Sequence, residues 1–438
     1  MGKSVFSASS PDPAADRLAP LLGRLVNYER SRPVAPAWSL EAIAAVLARP
    51  GAVPLTGAAV QVGGSKGKGS TCMFLEALGI AAGLCTGTYL SPHVDTLLER
   101  VRVRGQLVGI DDLEAALRAV LDFAGQAGLE LTFFEAMTAA AVTLFAAERL
   151  DLAILEVGLG GRLDATTAVP VQASILTGVE LEHTEILGTT LAEVAGEKAH
   201  VIRPGGVCFA VAEGPGRDVF AKRARAVGAR LHLLGEDFGV VDHSWQGCDL
   251  VGRLQLPDGV TRDFRLLDGR GFELQALALA AACFHHLFTL PLALDPFPRP
   301  ALPGRFEVVP CADGQPLVLD GAHTEASLAA VATEIDRRWP GQRLAVLFGC
   351  AAHKRWQQGL SALVGMVDRV VVTGISGIAC EDPNVVSQWL RQRGIGSEVV
   401  SDAAAGLRAL AAHAGPRLVT GSFHLVSEAR RALQRDPS

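Results

Sequence analysis

The run V-Q-V-G-G-S-K-G-K-G-S-T, residues 60–71, constrains this chain more than any other stretch. Apolar β-branched residues enter it and an Ala/Leu-rich segment leaves it, so it reads as a buried strand, a glycine-rich loop and a helix. Gly64, Gly67 and Gly69 let the backbone turn its N–H groups toward phosphate oxygens, and the helix N-terminus adds its dipole. Lys68 supplies a mobile cation to the same phosphates, and Ser70 a hydroxyl for magnesium. The strict pattern G-x-x-x-x-G-K-[ST] is not met, because Gly69 follows Lys68. The bland alternative is an ordinary glycine-rich turn; Lys68 and Ser70 standing in register argue against it.

A loop of this kind belongs in an α/β protein, and the rest of the chain follows that pattern. Strand-like runs at Ala58 to Val62, Leu152 to Val157, Ala173 to Thr177 and Val207 to Val211 alternate with helical stretches. The latter include Ser70 to Ala82, Asp111 to Ala124 and Phe134 to Glu148. Such alternation predicts a mostly parallel sheet. Gly235 to Arg270 is polar and glycine-containing, and reads as loops or short antiparallel strands. Five prolines in residues 291–304 predict an inter-domain linker. Beyond it, Pro316 to Leu319, Leu344 to Phe348, Arg369 to Thr373 and Arg417 to Thr420 read as strands of a second, smaller doubly wound domain. Two domains also suit a chain of 438 residues.

Hydrophobic residues at 49% and charged residues at 20% suit a soluble globular enzyme. A formal net charge of -6 offers no general attraction for nucleic acid, though it leaves room for a local cationic pocket. The eight cysteines form no C-x-x-C pair and lie in apolar segments, which predicts reduced, mostly buried thiols in a cytoplasmic protein. The first residues, M-G-K-S-V-F-S-A-S-S-P-D-P, have no apolar core for a signal peptide, and Phe6 breaks a myristoylation motif. No apolar run reaches membrane-spanning length.

Further chemistry gathers at predicted strand ends, where ligand sites of open α/β sheets collect. Glu156 ends a strand before the turn G-L-G-G and can hold magnesium, or can equally cap that turn. His183, in E-L-E-H-T, follows another strand end; a lone histidine is more often structural, and magnesium prefers oxygen. Lys198, in G-E-K-A, reads from position alone as a solvated helix residue.

The loop variant G-x-x-G-K-G-S is similar to that of the Mur ligase superfamily. The runs Y-L-S-P-H, L-L-E-R-V-R-V-R-G, T-F-F-E-A-M-T, L-E-V-G-L-G-G-R-L-D-A-T, E-H-T-E-I-L-G, G-E-K-A, L-P-G-R-F-E, L-D-G-A-H and G-S-F-H-L-V-S-E-A-R follow in order. From about Leu21 to Arg431 the chain thus resembles the dihydrofolate synthase/folylpolyglutamate synthase family. The resemblance implies a Mur-ligase-like, ATP- and magnesium-binding domain over 1–290, the linker at 291–304, and a Rossmann-like ligase domain over 305–438. It implies that Ser91, Glu156 and His183, with Ser70, bind two magnesium ions, and that Lys198 is carbamylated and so becomes an anionic ligand. Thr132, Phe133, Phe134 and Glu135, with Leu163, Asp164 and Ala165, match the family's pterin-acid pocket, and Asp164 is its chief polar contact. Gln275, at one of the family's amide positions, is expected to contact the nucleotide, Arg305 and Asp320 match ATP contacts, and His323 lies beside them.

Departures from the family pattern are equally specific. Ser65 and Lys66 stand for Thr and Asn in the phosphate loop, Thr167 and Thr324 for Asn, Phe272 and Gln275 at two amide positions, and Glu182 for Asp. The resemblance implies an ATP-dependent ligase of folate biosynthesis and one-carbon metabolism. It would convert a pterin acid or folate to an acyl phosphate and join it to L-glutamate, with Lys68, His183, Lys198 and Asp164 in the catalytic centre. Arg305 is expected to reach the nucleotide when the second domain closes. The implied partners are small molecules, with no nucleic acid or membrane, and the implied state is a monomer. Two alternatives stay open: a Mur-ligase-like enzyme for a non-folate acid, and a catalytically weak nucleotide-binding protein.

Overall fold

A computed structural model describes residues 12–28, 39–352 and 354–435. The reading of the N-terminus as lacking a signal falls largely on residues 1–11, which lie outside the described residues. The chain divides into two compact units, Met1–Pro300 and Ala301–Ser438.

In the first unit, β1 (Ala58–Gly63), β2 (Thr86–Tyr89), β3 (Val101–Val103), β4 (Gln106–Leu107), β5 (Leu152–Glu156), β6 (Ala173–Leu176), β7 (Val207–Ala210) and β8 (Arg230–Leu233) form one sheet. Its order is β4-β3-β2-β5-β1-β6-β7-β8. The six strands from β2 to β8 are parallel, and the β3–β4 hairpin extends one edge antiparallel. Parallel strands are covered on both faces, which is why L-A-I-L-E of β5 is buried along its whole length. The helix Lys68–Ala81 packs against the helix Leu274–Leu287, whose alanines allow close approach.

The polar stretch beginning at Gly235 forms three antiparallel strands, β9 (Gly239–Gln246), β10 (Asp249–Gln255) and β11 (Thr261–Leu267). The proline-rich stretch differs from a plain linker. Phe297–Pro298 pairs with β11 as β12, and Phe297 is buried against Phe74 with ring centroids 6.2 Å apart. Proline suits such an edge position because it needs no ladder donor. The first unit therefore runs ten residues past the expected 290, to Pro300.

The second unit holds β13 (Glu307–Pro310), β14 (Pro316–Leu319), β15 (Leu344–Phe348), β16 (Val367–Thr373), β17 (Gly396–Val400) and β18 (Arg417–Thr420). Their order is β13-β14-β18-β15-β16-β17, parallel except for β13. A core of Phe306, Val318, Ile335, Val346, Phe348 and Trp356 packs between sheet and helices.

Among the described residues, no helix is long and apolar enough to cross a membrane. All eight cysteines are free thiols; Cys72, Cys208, Cys283 and Cys350 are buried, while Cys248 is exposed. Burial pushes the Cys208 thiol up to about 12.

Gly57 enters β1 where an added Cβ would lie 2.3 Å from Leu150 O and 2.4 Å from Asp151 O. Those backbone atoms lead directly into β5 and cannot yield without moving it. Gly125, near the end of the helix Ile110–Gln126, has nothing within 4 Å. Gly57→Ala should cost about 1–3 kcal/mol through overpacking, whereas Gly125→Ala should add about 0.5–1 kcal/mol. Denaturant titration of the two variants checks the opposite signs.

Candidate active site

Four neighbouring parallel strands, β2, β5, β1 and β6, deliver their C-terminal ends to one edge of the first sheet. Ser91 follows β2, Glu156 ends β5, the loop Gly64–Gly67 follows β1, and Thr177 follows β6. The Ser91 backbone N–H donates to Glu156 Oε2 at 2.8 Å, which joins two of the predicted metal residues. Glu156 is 5% exposed, so a carboxylate sits at a buried strand end beside a phosphate loop. Ser70 lies in the first turn of the helix that leaves the loop. Ser91, Ser70 and Glu156 each carry side-chain oxygen, the ligand type magnesium takes. Among the described residues, no group of three His, Cys, Asp or Glu could hold an ion by itself.

The loop geometry explains its glycines. Gly64 has φ 133°, and a Cβ there would fall 2.1 Å from Thr177 Oγ1; Gly67, at φ 81°, is the N-cap of the helix Lys68–Ala81. Lys68 Nζ donates to Gly64 O (3.1 Å) and Ser65 O (3.4 Å).

Lys198 corrects the solvated-helix reading. It ends the helix Leu191–Lys198 with its side chain 2% exposed, and Nζ donates to Gly64 O at 3.1 Å and to Glu182 Oε1 at 2.8 Å. Two lysines thus converge on one carbonyl. Burial holds the Lys198 ammonium below the usual lysine range; Glu182 opposes this, and the charge of Lys68 adds to it. For Glu182, burial pushes upward, but the two lysines outweigh it and leave the carboxylate below its usual range. Sequence reading treated Glu182 only as a departure; its partnership with Lys198 spans 16 residues and leaves no local signature. His183 is exposed in a left-handed conformation, φ 45°, as the N-cap of the helix Thr184–Leu187.

Most of the residues expected to form the acid pocket have structural roles. Thr132 and Glu135 form a capping box: Glu135 Oε2 accepts from Thr132 N and Oγ1 at 2.8 Å each, and Glu135 N donates to Thr132 Oγ1. Phe133 is core, 6% exposed, with the Arg100 guanidinium carbon 5.1 Å from its ring centre. Arg100 is fully buried, and its Nε donates to His93 Nδ1 at 2.9 Å. Phe134 lies against the turn after β5: a Cβ on Gly158 would meet its ring at 2.6 Å, and Tyr89 packs beside it at 5.6 Å. Leu163 is half-buried and Ala165 buried.

Asp164 is 6% exposed and braces its own turn. Oδ2 accepts from Gly158 N (2.9 Å) and Leu159 N (3.0 Å); Oδ1 accepts from Thr166 N (3.0 Å) and Thr166 Oγ1 (2.5 Å). All four ordinary acceptor positions are engaged, so a substrate N–H can be accepted only by giving one up. Burial raises its carboxyl above the usual range, and these hydrogen bonds work against that rise.

In the second unit, Asp320 follows β14, where Oδ2 accepts from Phe306 N and Oδ1 from Ala322 N, both at 2.7 Å. Burial raises this carboxyl, opposed by the charge of Arg305. The Arg305 guanidinium carbon stands 3.9 Å over the Phe423 ring. His323 Nδ1 pairs with Gly321 O at 3.0 Å.

The replaced positions have local partners. Lys66 Nζ pairs with Glu180 Oε2 at 2.7 Å, and Glu180 N donates to Ser65 Oγ at 2.9 Å. Thr167 Oγ1 donates to Gly161 O (2.6 Å) and accepts from Gln61 Nε2 (2.8 Å). Gln275 Nε2 donates to Thr177 O at 2.8 Å. Thr324 caps the helix Glu325–Arg338.

Asp164→Asn turns an NH2 group toward N–H donors in a buried turn. It should cost about 1–3 kcal/mol of folding stability, read by urea denaturation. An unchanged midpoint would return Asp164 to a purely substrate-contacting role.

Residues 304–423 match the family "Mur ligase, glutamate ligase domain". The chain is 32% identical over 407 residues to a probable bifunctional folylpolyglutamate synthase/dihydropteroate synthase of Halobacterium salinarum; the match covers 86% of this chain and 47% of that protein. The chain thus spans about half the length of that archaeal relative. It is 30% identical over 406 residues to the dihydrofolate synthase/folylpolyglutamate synthase of Escherichia coli, covering 90% of this chain and 91% of that one. A crystal structure of the bifunctional folylpolyglutamate synthase/dihydrofolate synthase of Yersinia pestis, complexed with AMPPNP and Mn ion, superposes with a TM-score of 0.81 at 28% identity, over 99% of this chain and 100% of that one. Identity at this level across nearly the full Escherichia coli sequence, on a shared fold, makes this chain a member of the dihydrofolate synthase/folylpolyglutamate synthase family.

Proposed function

We propose that this chain is an ATP-dependent ligase that joins L-glutamate to dihydropteroate, to a folate, or to both. The observation that carries this reading is the convergence of Lys68 and Lys198 on Gly64 O, with the Ser91–Glu156 pair at a neighbouring strand end. A carboxylate and an amine do not condense in water, because the leaving group would be oxide; transfer of the γ-phosphoryl to the carboxylate creates an acyl phosphate that can lose phosphate.

In this reading Lys68 and the loop N–H groups hold the β- and γ-phosphates in line with the substrate carboxylate. Ser70, Ser91 and Glu156 would hold magnesium, and His183 and a carbamylated Lys198 would hold a second ion. Magnesium, when bound, neutralises charge on the phosphates and the attacking carboxylate. Phe134 offers a wall for a flat heteroaromatic ring. The glutamate amine attacks the acyl carbon, the C–O bond to phosphate breaks, and the amine proton leaves to solvent. The first unit is assigned nucleotide and metal, and the second, through Arg305, Asp320 and His323, further nucleotide contacts. Small molecules are its partners and the cytoplasm its compartment. The inward-turned amide of Gln275 and the capping role of Thr324 favour one second reading, the same ligation on a non-folate acid.

ATP, magnesium and glutamate supplied with dihydropteroate, then with tetrahydrofolate, should give a glutamylated product by mass. Lys68→Ala should slow it about a hundredfold to a thousandfold, the loss seen when one charge-stabilising donor is removed. Extension of neither acid, with turnover of another acid and amine pair, selects the second reading.

Burial lowers the Lys198 ammonium's pKa and so favours the neutral amine, the form that reacts with carbon dioxide. Its nitrogen forms the N–C bond and loses a proton, leaving an anionic carbamate, and the ammonium's ion pair with Glu182 is given up in the step. Protein equilibrated with 13C-labelled carbon dioxide should show one carbamate carbon resonance that is absent from Lys198→Ala. Full activity of Lys198→Ala without that resonance in the parent would remove the assignment.

A further inference from the structure

Thr177 makes contacts that no nucleotide or metal role explains. It follows β6 and is 4% exposed. Its N–H donates to Gly63 O at 2.9 Å, and Oγ1 donates to Lys66 O at 2.5 Å, with Gly63 O also within 3.3 Å. The same hydroxyl occupies the space a Cβ on Gly64 would need, at 2.1 Å. Thr177 Cβ lies 3.9 Å from where a Cβ on Gly67 would stand. One residue thus meets the phosphate loop at Gly63, Gly64 and Lys66.

The residue is itself held. Its carbonyl accepts Gln275 Nε2 at 2.8 Å from the helix Leu274–Leu287. Its neighbour Gly178 accepts Ser65 N at 3.0 Å, which adds a second tie to the loop. Loop N–H groups can converge on phosphate only if their carbonyls point away and are satisfied elsewhere. The Lys66 carbonyl, in the middle of the turn, is satisfied by the Thr177 hydroxyl. Losing that donor leaves the carbonyl in a half-buried position without it and frees the turn to rotate.

We propose that Thr177, braced by Gln275, is a positioning residue that sets the phosphate loop in its nucleotide-binding conformation. This gives Gln275 a route to the nucleotide through Thr177. The inference rests on the nucleotide-binding reading above. It assigns no chemistry to Thr177; the residue acts through the backbone of residues 63–67.

The test is calorimetric titration of the full chain with magnesium and ADP, alongside thermal unfolding. Thr177→Val keeps the side-chain shape and removes the donor; Thr177→Ser keeps the donor. Loss of one internal hydrogen bond to a binding loop should weaken ADP about fivefold to tenfold in Thr177→Val, with Thr177→Ser within about twofold of the parent. Gln275→Leu, which removes the brace, should weaken ADP by about threefold and supplies the test if Thr177→Val does not fold. Parent-like ADP affinity in a folded Thr177→Val, or in Gln275→Leu when that is the folded variant, overturns the proposal and leaves nucleotide binding standing. Equal loss in Thr177→Val and Thr177→Ser, tracking a lowered melting temperature, reduces Thr177 to a packing residue and also overturns it. A parent protein that binds no ADP overturns the nucleotide-binding reading and this inference with it.

Discussion

A buried ammonium has to find oxygen, and in this chain Lys198 finds it on two segments remote in sequence. Its bonds to Gly64 O and Glu182 Oε1 tie the helix Leu191–Lys198 to the phosphate loop and to the segment after β6. Leaving such a charge without partners would cost several kcal/mol, on the order of 3–5. The loop, the helix and the segment carrying His183 are therefore obliged to meet. Thr177, held by Gln275, adds a further tie to the loop. Arrangement of the strand ends precedes any ligand, and the oxygen and nitrogen groups meet there because the fold satisfies its own polar atoms.

Much of this was legible in the sequence, and the reasons are local. A strand, glycines with a lysine in register, and a helix lie within residues 60–71, so their geometry is encoded by neighbours. The buried strands β1, β5, β6 and β7 announced themselves by apolar runs. By contrast β2, T-G-T-Y, carries a glycine and three hydroxyls, and lacks the apolar run that marks a buried strand. Its Gly87 is set by packing, since a Cβ there would meet Leu150 and Phe145. The burial of Lys198 was illegible because its partners stand 16 and 134 residues away. T-F-F-E carried a signal that family likeness overshadowed: Thr followed three residues later by Glu is the capping-box spacing, and the structure uses it so.

The departures from the family pattern share one physical character. Lys66, Thr167, Gln275 and Thr324 each engage a group of this chain: Glu180, Gly161 O with Gln61, Thr177 O, and the start of a helix. An amide presents both a donor and an acceptor, whereas lysine only donates and a threonine hydroxyl is short. Such replacements suit positions whose polar atoms hold the scaffold. The oxygen set at Ser91 and Glu156 is untouched by them.

The small bond between Arg100 and His93 reaches further than its size suggests. Guanidinium nitrogens keep their hydrogens at any pH a protein survives, so the lone pair in an Nε to Nδ1 contact must belong to the histidine. The imidazole hydrogen then resides on Nε2. Arg100 is fully enclosed and lies over the Phe133 ring, so it has little freedom to turn away and release that choice. A ring two positions from Ser91 is in this way fixed as a one-directional hydrogen-bond giver, its tautomer dictated from within the core.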